Sequence, residues 1–292
     1  MKIDTWFLFV KRFITLWVLP LLLQSCSTMY IPAIRAIPLL EKEGEFQMEA
    51  GVSTNSVYAN ISGAITDEIA VSLNGNLSYR NFTNYYDLFT HKDKEGPRGG
   101  LWFTPTDLRG MFTHRYGEAS VGRINILPTS PMKLEIFGGA GMGKATDFVA
   151  YSSDRYGNYK TDYYTFFGQG DYGVKKRKIE AGISVRIAYT SFMYTFDYKY
   201  SSAGTHDLYQ YKFGTANFEP MGFARVGGEK LKAVIRIGFN LMFRGFYQEI
   251  NKDKTSSYYL RGFTDSGDLD YTVFHFSVGL SYRIGGNINI IH

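Results

Sequence analysis

Residues 271–284 read YTVFHFSVGLSYRI. At a period of two the stretch separates into Thr272, Phe274, Phe276, Val278, Leu280, Tyr282 and Ile284 on one side, and Tyr271, Val273, His275, Ser277, Gly279, Ser281 and Arg283 on the other. Successive strand side chains point to opposite faces, so this is a strand with one apolar and one mostly polar face. A tilted membrane strand needs about 9–11 residues, and this one is long enough. A strand at the end of a chain has an open edge, which a barrel closes by pairing it with the first strand.

The alternation recurs upstream. Residues 45–53 set Phe46, Met48, Ala50 and Val52 against Glu45, Gln47, Glu49 and Gly51. In 69–80, Ile69, Val71, Leu73, Leu77 and Tyr79 oppose Ala70, Ser72, Asn74, Asn76 and Ser78. Further strands are expected at 56–65, 113–127, 133–146, 177–189, 192–200, 217–227 and 231–244, which makes ten with 271–284. Long loops are expected at 81–112, 147–174, 202–216 and 245–270, with short turns between. Long loops at one end and short turns at the other are the pattern of outer-membrane barrels.

Composition agrees. Aromatics make up 17% of residues, with 31 Gly and only 8 Pro, which favours strands and turns. Beyond the first residues no run reaches the roughly 18 apolar residues of a membrane helix. The first residues read as an export signal: Lys2, Lys11 and Arg12 precede the apolar run from Phe13 to Leu23, and Leu23-Gln24-Ser25-Cys26 resembles a lipobox. Gln24 departs from that pattern, whose slot usually holds a smaller residue. Residues 1–25 are thus expected to be a cleaved lipoprotein signal and Cys26, the only cysteine, to carry the lipid, palmitate included. A single cysteine excludes an internal disulfide. Without residues 1–25 the net charge falls from +5 to +3, too mild for a nucleic-acid partner. Residues 27–44, STMYIPAIRAIPLLEKEG, show no period and read as the rest of an extended tether, 26–44, that leads into a barrel spanning 45–292.

From Cys26 to Tyr79 the chain resembles the β-barrel outer-membrane lipoproteins of Bacteroidota. The resemblance lies in Cys26, Tyr30-Ile31-Pro32, Pro38-Leu39-Leu40, Glu43-Gly44-Glu45 and Ala64-Ile65-Thr66-Asp67, and continues more loosely through Gly139-Ala140-Gly141-Met142-Gly143. It implies fold, anchor and location, not an activity. The chain departs from the usual assembly signal by ending Ile290-Ile291-His292 instead of on an aromatic residue.

Few residues point to chemistry. Gly138 to Lys144 has the spacing of a phosphate loop, but Ala145 stands where Ser or Thr would bind magnesium and no helical pattern follows. It reads as a strand whose glycines make room for neighbours. His275 and Ser277 have the spacing of the His-x-Ser pair of an outer-membrane phospholipase, with Val278 where that pair is followed by Asn. Their phase puts them in the lumen. His91, His114 and His206 are not at metal-ligand spacing, so neither a metal nor a cofactor is expected.

The lumen face collects Glu45, Glu49, Glu135, Glu180, Asp197 and Glu219 against Arg186, Lys199, Arg225, Arg236, Arg244 and Arg283, which reads as an ion-pair network filling a small barrel. The loops are expected to display Tyr85, Tyr86, Tyr151, Tyr156, Tyr159, Tyr163, Tyr164, Phe166, Phe167, Tyr209 and Tyr211. The expectation is a monomeric, lipid-anchored outer-membrane barrel. Its role would be structural or surface-binding and non-enzymatic, its partners membrane lipid and an extracellular ligand or protein at the loops. A narrow pore and a lipid-acting enzyme are the alternatives.

Overall fold

The computed structural model describes residues 33–54, 56–81, 109–127, 132–152, 155–200, 205–252 and 274–285. It is all-β, with strands β1 (Phe46–Ser53), β2 (Val57–Ala64), β3 (Ile69–Asn81), β4 (Arg109–Arg123), β5 (Met132–Ser152), β6 (Arg155–Lys175), β7 (Ile179–Tyr200), β8 (Thr205–Gly227), β9 (Leu231–Phe239), β10 (Leu241–Lys252) and β11 (Phe274–Ile284). β9 and β10 lie along one line, broken only at Asn240, and both pair with β8. They count as one stave. Each stave is antiparallel to its neighbours, and β1 pairs with β11, so ten staves close into a barrel.

The register fixes the barrel's geometry. From Glu49 one path of paired residues runs through Asn60, Asn74, Glu118, Gly141, Thr165 and Thr190 to Thr215 on β8. The other runs through Ser281 and Lys232 to Gly227, also on β8 and twelve residues further along. Ten staves with that stagger imply a tilt of about 40° and a backbone radius of about 10 Å. The lumen is therefore as wide as one extended chain with its side chains.

Polarity is inside out. Ile69, Val71, Leu73, Ile183, Ile187, Ile235, Val278 and Leu280 are exposed on the outer surface, whereas Glu135, Glu180, Arg186, Glu219, Arg225 and Arg236 are buried within. A water-soluble protein rarely exposes so large an apolar surface; a barrel in lipid must. Gly44, Gly285 and the short turns after β2, β6 and β8 lie at one end, the turn end. The β1–β2 hairpin and the C-terminal ends of β3, β5, β7 and β10 lie at the other, the loop end.

The count of ten holds, but two staves differ from expectation. Residues 147–174 are not a loop: β5 runs to Ser152 and β6 covers Arg155–Lys175. The expected strands 177–189 and 192–200 are one strand, β7. A missed strand and a divided one offset each other. The expected loop 202–216 is also largely strand, since β8 begins at Thr205.

The division has a physical cause. Outward positions on β7 are odd-numbered and apolar through Ile187; beyond it Ala188 and Phe192 are buried on the lumen side while Tyr189 and Met193 are exposed on the outer one. Apolar residues thus stand on both faces in the second half of the strand, which blurs the period of two.

Candidate functional site

The lumen is filled by the chain's own N-terminal segment. Ala33, Ile34, Arg35, Ala36, Ile37, Leu39 and Leu40 are all buried, although residues 27–44 read as a tether leading to the first strand. The segment has no secondary structure of its own. Its backbone groups must find partners once out of water, and the barrel wall provides them.

Leu39 adopts a positive φ of 48°. Its N–H and that of Leu40 both donate to the Glu135 carboxylate, at 3.0 and 2.7 Å. Successive amides turned in this way form an anion-binding concavity. Lys175 Nζ donates to the Leu39 carbonyl at 3.0 Å and Arg283 to that of Pro38 at 2.8 Å. Arg225 donates to the Ile37 carbonyl. Ala36 donates its N–H to Asn74 Oδ1 at 3.2 Å and accepts from Gln169 Nε2 at 2.9 Å. Arg35 reaches Glu219 at 3.3 Å and also donates to the carbonyls of Ser184 and Glu219. Leu39 and Ile37 pack with Met221 and Phe223, and Leu40 with Ala64, Ala70, Ile124 and Phe137.

Around the segment the wall forms an ion-pair network. Glu180 binds Arg225, Lys232 and Arg283 at 3.1, 2.9 and 2.8 Å. Glu45 binds Lys175 at 2.7 Å and Arg283 at 3.2 Å. Glu49 joins Arg225 and Arg236. Glu118 takes both arms of Arg186 at 2.7 and 2.8 Å, with hydrogen bonds from Asn74 and Tyr116. Arg186 also lies over the Phe167 ring, 3.9 Å from its centroid. Buried charges are tolerable only when paired this way.

The expected lumen set is thus largely brought together: Glu45, Glu49, Glu135, Glu180 and Glu219 with Arg186, Arg225, Arg236 and Arg283. Asp197 is not in it. Even-numbered residues of β7 face the lumen, which puts Asp197 on the outer face. The side chains of Lys199 and Arg244 are outside those described. Sequence reading missed Arg35, Glu118, Asp171, Lys175 and Lys232. Alternation along 113–127 would have found Glu118. Asp171 was hidden in the supposed loop, with Lys175 just past its end, and Arg35 in the supposed tether.

The remaining candidates are placed as follows. Gly138 to Lys144 lies within β5, and a side chain added at Gly139, Gly141 or Gly143 would strike the ring of Phe167, Tyr116 or Tyr163. The glycines make room for rings. Tyr163 and Phe167, expected on a loop, are buried in the lumen, and Tyr163 hydrogen-bonds His114.

His275 and Ser277 face the lumen as expected, but the His275 ring lies against Gly238 and neither of its nitrogens bonds Ser277. Among the described residues no three His, Cys, Asp or Glu side chains form a metal-binding group. Cys26, His91, Tyr85 and Tyr86 lie outside the described residues.

No family model matches the chain, and no curated protein matches it. Solved structures do. The outer-membrane protease OmpT from Escherichia coli aligns over 82% of this chain and 93% of its own, at 10% identity and a TM-score of 0.50. The translocator domain of the autotransporter NalP from Neisseria meningitidis aligns over 82% and 86%, at 9% identity and a TM-score of 0.39. CarO from Acinetobacter baumannii aligns over 81% and 96%, at 10% identity and a TM-score of 0.26. At such identities the likeness to OmpT is one of fold: an outer-membrane-type barrel of antiparallel staves.

Proposed function

We propose that the protein is a lipid-anchored outer-membrane barrel that stays closed and serves the envelope through its surface, with no catalytic task. One observation carries this reading: residues 33–40 occupy the lumen and are tied to the wall by ten side-chain hydrogen bonds, from Arg35 to Lys175. A barrel of this width holds one such chain and no water-filled channel beside it.

The long β5–β8 staves, at 21 to 23 residues, exceed what a bilayer crossing needs and raise the loop end above the membrane. That end is where a ligand or partner protein would be met. A serine nucleophile needs a histidine within hydrogen-bond reach, which Ser277 lacks, so the lipid-acting alternative draws no support from the His275 geometry.

Conductance tests the reading. The whole protein reconstituted in planar bilayers should pass no current above background, and a variant lacking residues 33–40 should conduct. Steady channels from the intact protein would favour the narrow-pore alternative instead.

A further inference from the structure

Because the staves tilt by about 40°, a row of residues paired in register climbs around the wall by about 3 Å per stave. One outward row runs Val278, Val52, Val57, Leu77, Arg115, Lys144 and Asp162, across β11 and then β1 to β6. Its first four members are exposed aliphatic side chains. The next two are cations that stand directly opposite each other on β4 and β5. The row leaves the apolar band between Leu77 and Arg115.

That crossing lies at the membrane surface. On β4 the outward residues Val121, Ala119 and Gly117 separate Arg123, at the turn end, from Arg115. This interval covers about 20 Å of depth at the barrel's tilt, close to the apolar band of about 25 Å in such barrels. On β5, Lys144 is the next outward residue above the exposed Met142. Arg115 and Lys144 therefore stand at the height of lipid headgroups on the loop-end side.

Like charges directly opposite each other on a sheet repel. Lys144 has Asp162 at 3.1 Å. Arg115 is exposed and has no ion-pair partner among the described residues. Lys160, opposite Thr146, is exposed on the same face, so cations outnumber the Asp162 carboxylate here.

A cleft of about 700 Å³ opens over this stretch. Val52, Val57 and Leu77 line its lower part, Arg115 and Lys144 its upper part, and the mutually bonded hydroxyls of Thr113 and Thr146 lie beyond them. No carboxylate stands among its described lining residues. A soluble anion would use only the upper part and an apolar ligand only the lower. A lipid with a phosphate in its headgroup matches both.

We propose that this cleft binds the phosphate-bearing headgroup of an outer-leaflet lipid, whose acyl chains descend over Val57 and Leu77. A guanidinium can grip two phosphate oxygens at once, and Lys adds a point charge. The proposal rests on the reading of the protein as an outer-membrane barrel, but on neither its lipid anchor nor its closed lumen.

Native mass spectrometry of the full-length protein in detergent tests it, with dioleoyl phosphatidic acid as the probe. A single bound lipid is expected, and neither the matching diacylglycerol nor inorganic phosphate should take its place. Arg115→Gln with Lys144→Gln should weaken binding about 30-fold, at about fivefold per cation near a membrane surface. Lys176→Gln with Lys178→Gln, which removes two exposed cations from the turn after β6, should leave binding unchanged. Asp162→Asn should tighten it. No bound lipid, equal binding of diacylglycerol, displacement by inorganic phosphate, or the same effect from both double variants would overturn the proposal. A heat-modifiable band shows that each variant folds; its absence from the unsubstituted protein would instead overturn the barrel reading itself.

Discussion

Replacing Arg35 by Met removes the charge but keeps the length of the side chain. Arg35 and Glu219 are both fully buried, and their ion pair spans 3.3 Å. The substitution takes one cation from the buried carboxylate and donors from the carbonyls of Ser184 and Glu219. Breaking a buried pair by removing one partner costs about 3–5 kcal/mol, whereas an exposed pair contributes about 0–1 kcal/mol. Arg186 stands opposite Glu219 in the β7–β8 register, so a second cation stays near the carboxylate, which favours the lower end of that range.

With a urea slope of about 3 kcal/mol/M, a loss of about 3 kcal/mol lowers the unfolding midpoint by about 1 M. The assay is urea unfolding of protein refolded in detergent, followed by gel mobility without boiling. Glu219→Gln added to Arg35→Met should recover part of the loss, because the buried charge that Arg35 balanced is gone as well. A loss below about 1 kcal/mol for Arg35→Met would mean that water reaches this level of the lumen, and the closed-lumen reasoning would fail.

Three further outcomes follow from the same geometry. Ile183→Arg, which puts a charge on the lipid-facing surface, should cost about 2–4 kcal/mol in bilayers if it lies near the midplane, measured by unfolding from vesicles. Gly143→Val should lower stability by about 1–3 kcal/mol through overpacking, because the Tyr163 ring occupies the space above that glycine; Gly168→Val, where an added Cβ meets nothing within 4 Å, is the control. The native barrel should migrate differently before and after boiling, and identical mobility would speak against a closed barrel.

The outer-facing pattern was legible wherever a stave sits in lipid: β1, β3, the first half of β7, β9 and β11 all alternate apolar residues with polar ones. β6 was not, because both of its faces are aromatic. Tyr164 and Phe166 point outward while Tyr163 and Phe167 fill the lumen, which erases the period of two. Most of the lumen charges could be read from strand phase. The lumen segment could not, since a chain held by side chains has no period of its own. Its sign was composition: Ala33 to Leu40 carries one charge, Arg35, among apolar residues, an unusual content for a tether exposed to water.

That segment also constrains the order of assembly. Its partners are remote in sequence, from Asn74, 38 residues away, to Arg283, 245 residues away. Contacts so distant form slowly, because the intervening chain must be ordered first. Residues 33–40 are made before every stave, yet several of their partners exist only once β7, β8 and β11 are in place. The segment can therefore take its full set of partners only after the wall that holds it has formed. The seam between β1 and β11, where Phe46 meets Ile284, joins the first stave of that wall to the last.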